Sequence, residues 1–179
     1  GSGFMGRCHA NAFRNVSSLF NLPVNIELTC LADINEVLAQ NNADALGFIS
    51  STGCWQDMVA DPNIDIIAIT APNALHEEMA ILAASHGKTI YCEKPLSTTL
   101  ESAMRMVDAT NNAGIVTQVG FNFLRNPLFK MAKKMIERGD LGDIVSFRGT
   151  HAENYMSDPR QPHSFRTHPQ GGGALADIG

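Results

Sequence analysis

Apolar residues recur along the chain in two alternating rhythms, a helical one and short unbroken runs rich in Ile, Val and Leu. The helical rhythm predicts helices over residues 4–20 and 35–46. The unbroken runs predict a buried strand at 26–31 and a weaker one at 47–51. Ile64-Asp65-Ile66-Ile67-Ala68-Ile69-Thr70 is the strongest strand signal. Asn73 then stands where it would cap a helix whose apolar positions are Leu75, Met79 and Leu82. Glu77 and Glu78 lie near its positive end, and Gly87 stops it. Residues 89–92 read as a strand. Thr98-Thr99-Leu100-Glu101 has capping-box spacing and opens a helix that ends at Gly114, followed by a strand over 115–121. Asn126-Pro127 starts a helix striped by Leu128, Met131, Ala132, Met135 and Ile136 and closed by Gly139. Residues 145–153 instead alternate apolar and polar, as a half-exposed antiparallel strand does. The rest is rich in Pro, Gly, His and Arg.

Strands alternating with helices predict an α/β fold, a doubly wound parallel sheet, over residues 1–121. Residues 122–179 are read as the start of a second, α+β domain. The glycines of Gly1-Ser2-Gly3-Phe4-Met5-Gly6, at the head of the first helix, fit the G-x-G-x-x-G turn. Such a turn lets backbone N–H groups and the helix N-terminus receive a pyrophosphate. Asp33 ends the apolar run of the strand predicted at 26–31, where an acidic group would accept hydrogen bonds from a ribose 2'-hydroxyl and repel a 2'-phosphate. The order of glycines, strand and Asp33 points to NAD, with NADP disfavoured. Gly1, Gly3, Phe4, Met5, Gly6 and Asp33 are therefore candidate cofactor contacts.

Composition removes several function classes. With 13 basic and 18 acidic residues the net charge is -5, which argues against nucleic acid or an anionic membrane as the main partner. No apolar run approaches the roughly 20 residues of a membrane span. Cys8, Cys30, Cys54 and Cys92 lack CxxC spacing and are expected to be reduced thiols, which favours the cytoplasm. His151, His163 and His168 lack tight ligand spacing, so no metal is expected.

Three further segments follow in order. These are Thr70-Ala71-Pro72-Asn73-Ala74-Leu75-His76, Tyr91-Cys92-Glu93-Lys94-Pro95, and Gly171-Gly172-Gly173-Ala174-Leu175-Ala176-Asp177-Ile178-Gly179. With them the sequence resembles the glucose–fructose oxidoreductase / inositol dehydrogenase (Gfo/Idh/MocA) family. The resemblance implies a Rossmann domain followed by an open antiparallel sheet, which often forms a homo-oligomer interface, in a dimer or tetramer. It implies a sugar, polyol or cyclitol substrate. Thr70, Asn73, His76 and Glu93 become cofactor-side candidates, and Lys94 is expected near both the nicotinamide and the reacting hydroxyl. Asp177 would be a second catalytic group, beside a histidine expected two residues past Gly179. Asn122, Arg125 and Arg166 are substrate-side candidates. Arg166 follows Phe165, where the family often has Trp, which leaves its role open.

The chemistry follows from the groups themselves. Oxidising a secondary alcohol means removing its hydroxyl proton as hydride leaves for the nicotinamide. A lysine in a cleft beside a cationic ring is poorly hydrated and repelled by like charge; both favour the neutral amine that can take a proton. Lys94 follows a parallel strand, where ligands of such sheets bind, although a plain surface loop also carries lysine beside proline. For His76 the alternative is a solvated helix-start histidine, and for Asn122 and Arg125 a purely structural role. A nucleotide-sensing regulatory protein on the same fold remains the competing function. A methyltransferase leaves Glu93-Lys94-Pro95 and the closing glycine segment unexplained. The central strand of a doubly wound sheet would have to precede Gly1, and the closing motif breaks off at Gly179, so further residues are expected on both sides.

Overall fold

The computed structural model describes residues 1–152, 154 and 157–160, and the chain divides into two units, Gly1–Val119 and Gly120–Gly179. In the first, helices α1 (Phe4–Leu19), α2 (Glu36–Leu46), α3 (Trp55–Ala60), α4 (His76–Ser85) and α5 (Leu100–Ala113) alternate with strands β1 (Cys30–Ala32), β2 (Ser50–Thr52), β3 (Ile66–Ile69), β4 (Thr89–Cys92) and β5 (Thr117–Val119). All pairing is parallel. Cys30 lies opposite Ser50, Ile66 opposite Thr89, and Ile90 opposite Thr117. The strands form two sheets, β1-β2 and β3-β4-β5. Between them runs a groove of about 480 Å³, lined by residues 24–32 on one side, by Ile64, Ile66 and Ala68 on the other, and by Ala10 and Phe13 of α1. The groove lies where a doubly wound sheet carries the strand that leads into its glycine turn.

β4 has the predicted bounds 89–92, and the other strands are shorter than the hydrophobic runs that predicted them. Of the run at 26–31 only Cys30 and Leu31 fall within β1, although Ile49 and Ser50 N–H also donate to the Leu28 and Thr29 carbonyls. The core lies around β3 and β4, where Ile67, Ile69, Ile90 and Cys92 pack with Ala80, Ala83 and Ala84 of α4 and Met106 of α5. Those small α4 residues let the helix sit close to the sheet. Burial pushes the Cys92 thiol up to about 12, and all four cysteines are unpaired.

Side-chain caps start three of the six α-helices described. Asn35 accepts from Leu38 N–H, Thr99 from Ser102 N–H and Asn126 from Leu128 N–H. Thr99, rather than Thr98, is therefore the cap of α5. Asn73 makes no cap either: residues Asn73–Leu75 form a 3-10 turn and α4 starts at His76. In the second unit, Asn122–Arg125 is a 3-10 turn and α6 spans Pro127–Glu137, with its apolar stripe exposed. No strand forms over the described part of residues 145–153. Val145 is 94% and Phe147 90% exposed, and an extended segment becomes a strand only when a neighbour takes up its backbone groups. No helix among the described residues is long and apolar enough to cross a membrane.

Glu77 joins α4 to α5. Its carboxylate accepts from Arg105 at 2.5 and 3.0 Å and from the Ser102 hydroxyl. These hydrogen bonds, the arginine's first, hold the carboxyl down at about 2. A depressed folded-state value means that the stabilisation is present above the ordinary 4.5 and lost as pH falls towards 2. Glu77→Gln should accordingly lower the urea midpoint at pH 7, and the gap from the parent should close as pH drops below 4.5. Added salt should narrow it too, since Arg105 is exposed. A gap that persists unchanged at pH 3 would refute this account.

Candidate cofactor and active site

Strands are parallel within each sheet, so the residues after β3 and β4 share one edge, and the glycine turn bonds both to the residue after β3 and to the end of β1. Asp33 follows β1, Thr70 follows β3, and Glu93 and Lys94 follow β4. The glycine turn meets them there, since the Thr70 hydroxyl donates to the Gly1 carbonyl at 2.9 Å. A Cβ on Gly6 would stand 2.0 Å from the Gly1 carbonyl oxygen, so the turn closes only with glycine there. A Cβ on Gly3 would meet nothing within 4 Å, which leaves open space directly before α1. Phe4 and Met5 begin that helix, Phe4 with its ring exposed. Open space at the positive end of a 16-residue helix fits a pyrophosphate.

Asp33 is held from two directions. Ser2 N–H donates to Oδ2 at 2.6 Å, the Ser2 hydroxyl donates to the same oxygen, and Ile34 N–H donates to Oδ1 at 2.7 Å. Burial works against the charged form, but these hydrogen bonds outweigh it and keep the carboxyl below the usual range. The side chain is therefore an anion, half-exposed at the strand tip. Ser2 occupies a variable position of the glycine motif, and its spacing gives no hint of this role.

Asn73 is buried, and its Nδ2 is the buried side-chain polar atom without a partner among the described residues. An unsatisfied buried amide is costly, and such donors often await a ligand. His76 is fully buried rather than solvated, with Nδ1 3.0 Å from the Pro95 carbonyl and Nε2 2.9 Å from that of Ala71. Its ring thereby ties the loop after β3 to the turn after β4. Both nitrogens face protein backbone, so any service to a cofactor is through those loops.

Glu93 is buried, and His9 of α1 lies at hydrogen-bond distance, Nε2 to Oε1 2.7 Å. Its other oxygen accepts the Lys94 N–H at 3.2 Å. Burial would raise the Glu93 carboxyl, but these two hydrogen bonds and the neighbouring His9 and Lys94 lower it. Lys94 is half-buried. Sequence reading missed His9 because its partner lies 84 residues away. Asn122 and Arg125 sit in the exposed turn of the second unit, whereas Arg166 and Asp177 lie outside the described residues. Among the described residues no group of three or more His, Cys, Asp or Glu could hold a metal ion.

Gly6 offers a direct check. In the full-length protein Gly6→Ala should weaken NAD binding by at least about tenfold, near 1.4 kcal/mol, as read by calorimetry. Unchanged affinity would mean that the turn does not form the pocket.

Comparison with known proteins agrees with this arrangement. Residues 1–121 match the model of an oxidoreductase family with an NAD-binding Rossmann fold, and residues 129–179 match the GFO/IDH/MocA C-terminal domain. The chain is 42% identical to levoglucosan dehydrogenase of Pseudarthrobacter phenanthrenivorans over 184 residues, covering 99% of this chain and 46% of that protein. It is 30% identical to the NAD(+)-dependent scyllo-inositol 2-dehydrogenase of Bacillus subtilis, covering 83% of this chain and 42% of that one. Its fold superposes with a TM-score of 0.95 on a levoglucosan dehydrogenase solved with NADH and levoglucosan, at 42% identity, covering 99% of this chain and 49% of that one. The chain thus spans about half the length of the relatives it matches. It belongs to the Gfo/Idh/MocA oxidoreductase family.

Proposed function

We propose that the protein containing this chain is an NAD-dependent dehydrogenase that moves hydride between the nicotinamide and a secondary hydroxyl of a sugar, polyol or cyclitol. The observation that carries this reading is the convergence of the glycine turn, the Asp33 anion, the unpartnered Asn73 amide and the Glu93-Lys94 turn on one sheet edge. The 42% identity to levoglucosan dehydrogenase makes an anhydrosugar the first substrate to try. A homo-oligomer of a cytoplasmic protein is part of the same reading.

Bound NAD would supply the hydride acceptor. Gly1, Gly3 and Gly6, with the start of α1, would receive its pyrophosphate. Asp33 would accept from the adenosine ribose, a role in which it competes with the Ser2 hydroxyl. Asn73 Nδ2 would donate to a cofactor oxygen, while Thr70 and His76 hold the loops in place. Lys94 would take up or return the proton of the substrate hydroxyl at Nζ. Asn122, Arg125, Arg166 and Asp177 are the substrate-side groups of this reading, with Asp177 orienting a neighbouring histidine.

Two measurements test it on the full-length protein. Assayed over a panel that includes levoglucosan and myo-inositol, Lys94→Ala should lose about 10² to 10⁴ in kcat while NAD binding changes far less. Near-normal turnover would remove Lys94 from the chemistry. The second is cofactor choice. NAD should bind more tightly than NADP, and a tenfold preference for NADP, about 1.4 kcal/mol, would overturn the role of Asp33.

A further inference from the structure

One buried hydrogen-bonded pair joins the helix of the glycine turn to the turn that bears Lys94. His9 Nε2 stands 2.7 Å from Glu93 Oε1, with the two side chains only 11% and 9% exposed. The imidazole is set edge-on to Tyr91, at 4.8 Å and 85°, and to Phe13 at 6.2 Å and 61°. Tyr91 lies on β4 two residues before Glu93, so the strand that supplies the carboxylate also fixes the ring that meets it. Glu93 Oε2 accepts the N–H of Lys94, and His76 Nδ1 meets the Pro95 carbonyl one residue further on. The Lys94 N–H and the Pro95 carbonyl are therefore both engaged, the first by a carboxylate that His9 of α1 also meets.

We propose that His9 is a positioning residue for Lys94, acting through Glu93 to fix the backbone from which the lysine side chain departs. This rests on the reading of Lys94 given above. A buried carboxylate needs donors for both oxygens. Without His9, Oε1 loses the donor at 2.7 Å. The carboxylate then gains by rotating towards water, and as it leaves it releases the Lys94 N–H. The displacement falls on the group whose placement sets the rate. Misplacement by about 1 Å costs on the order of 10²-fold in well-oriented reactions. The pair also places the cofactor helix and the lysine in one frame, so that a pyrophosphate docked on α1 is registered to Nζ.

The test uses the full-length protein with His9→Ala and His9→Gln, the amide nitrogen of glutamine standing where Nε2 stood. Turnover and NAD binding are measured separately. Acylation of Lys94 by acetic anhydride, relative to exposed Lys130, is followed by peptide mass spectrometry and needs no turnover. In His9→Ala the relative labelling rate of Lys94 should change by at least about threefold and kcat should fall about 10- to 100-fold, with the Kd for NAD within about threefold. His9→Gln should recover most of both. Should His9→Ala fail to fold, His9→Asn replaces it, since its shorter amide cannot reach Glu93. Unchanged Lys94 labelling, or a His9→Gln protein no better than the alanine variant, overturns the proposal. Absence of turnover in the parent protein would count against the dehydrogenase reading alone, because the labelling comparison still decides the role of His9.

Discussion

Parallel pairing governs everything else in the first unit. Each strand must be followed by a connection that crosses back over the sheet, so helices cover it, and each strand delivers its carboxyl end to the same edge. Residues that are strangers in sequence become neighbours there. Asp33, Thr70 and Glu93 each need only to be the first residue past an apolar run. None requires a special loop conformation. The glycine turn is the exception, where the close approach of Gly6 to the Gly1 carbonyl excludes any side chain.

Polar groups that enter this apolar frame are bound almost completely, and their partners are mostly loops rather than strands. Lys88, which is buried, donates to the carbonyls of Asp61 and Ile64 at 2.6 and 2.7 Å and so closes the connection that precedes β3. His76 does the same for the loops after β3 and β4. Against that background the unpartnered Asn73 amide stands out. A frame that satisfies a buried lysine has the means to satisfy an amide, and here it leaves one open in the turn after β3.

Much of this was legible in the sequence, for a physical reason. Strand and helix periods, the Asn126-Pro127 helix start and the glycine spacing are local signals, written within a few residues of where they act. What escaped was short or distant. Helix α3 has only six residues, less than two turns, too few to establish a period. Asn73 looked like a cap because its type and place suit one, yet the chain makes a 3-10 turn first and the amide turns inward. The bond between His9 and Glu93 left no trace in either neighbourhood, because nothing local to a helix histidine reveals a carboxylate 84 residues on.

The split of the strands into β2-β1 and β3-β4-β5 bears on how the unit assembles. Each set is a run of adjacent strand–helix–strand turns, in which contacts form between segments near in sequence and loop closure is inexpensive in entropy. No ladder crosses the groove between β1 and β3. Helix α3 packs on β1 and β2 and also on α4, and so joins the halves from one side. Pairing within each set is thus local in sequence, and α3 is the element that carries packing from one set to the other.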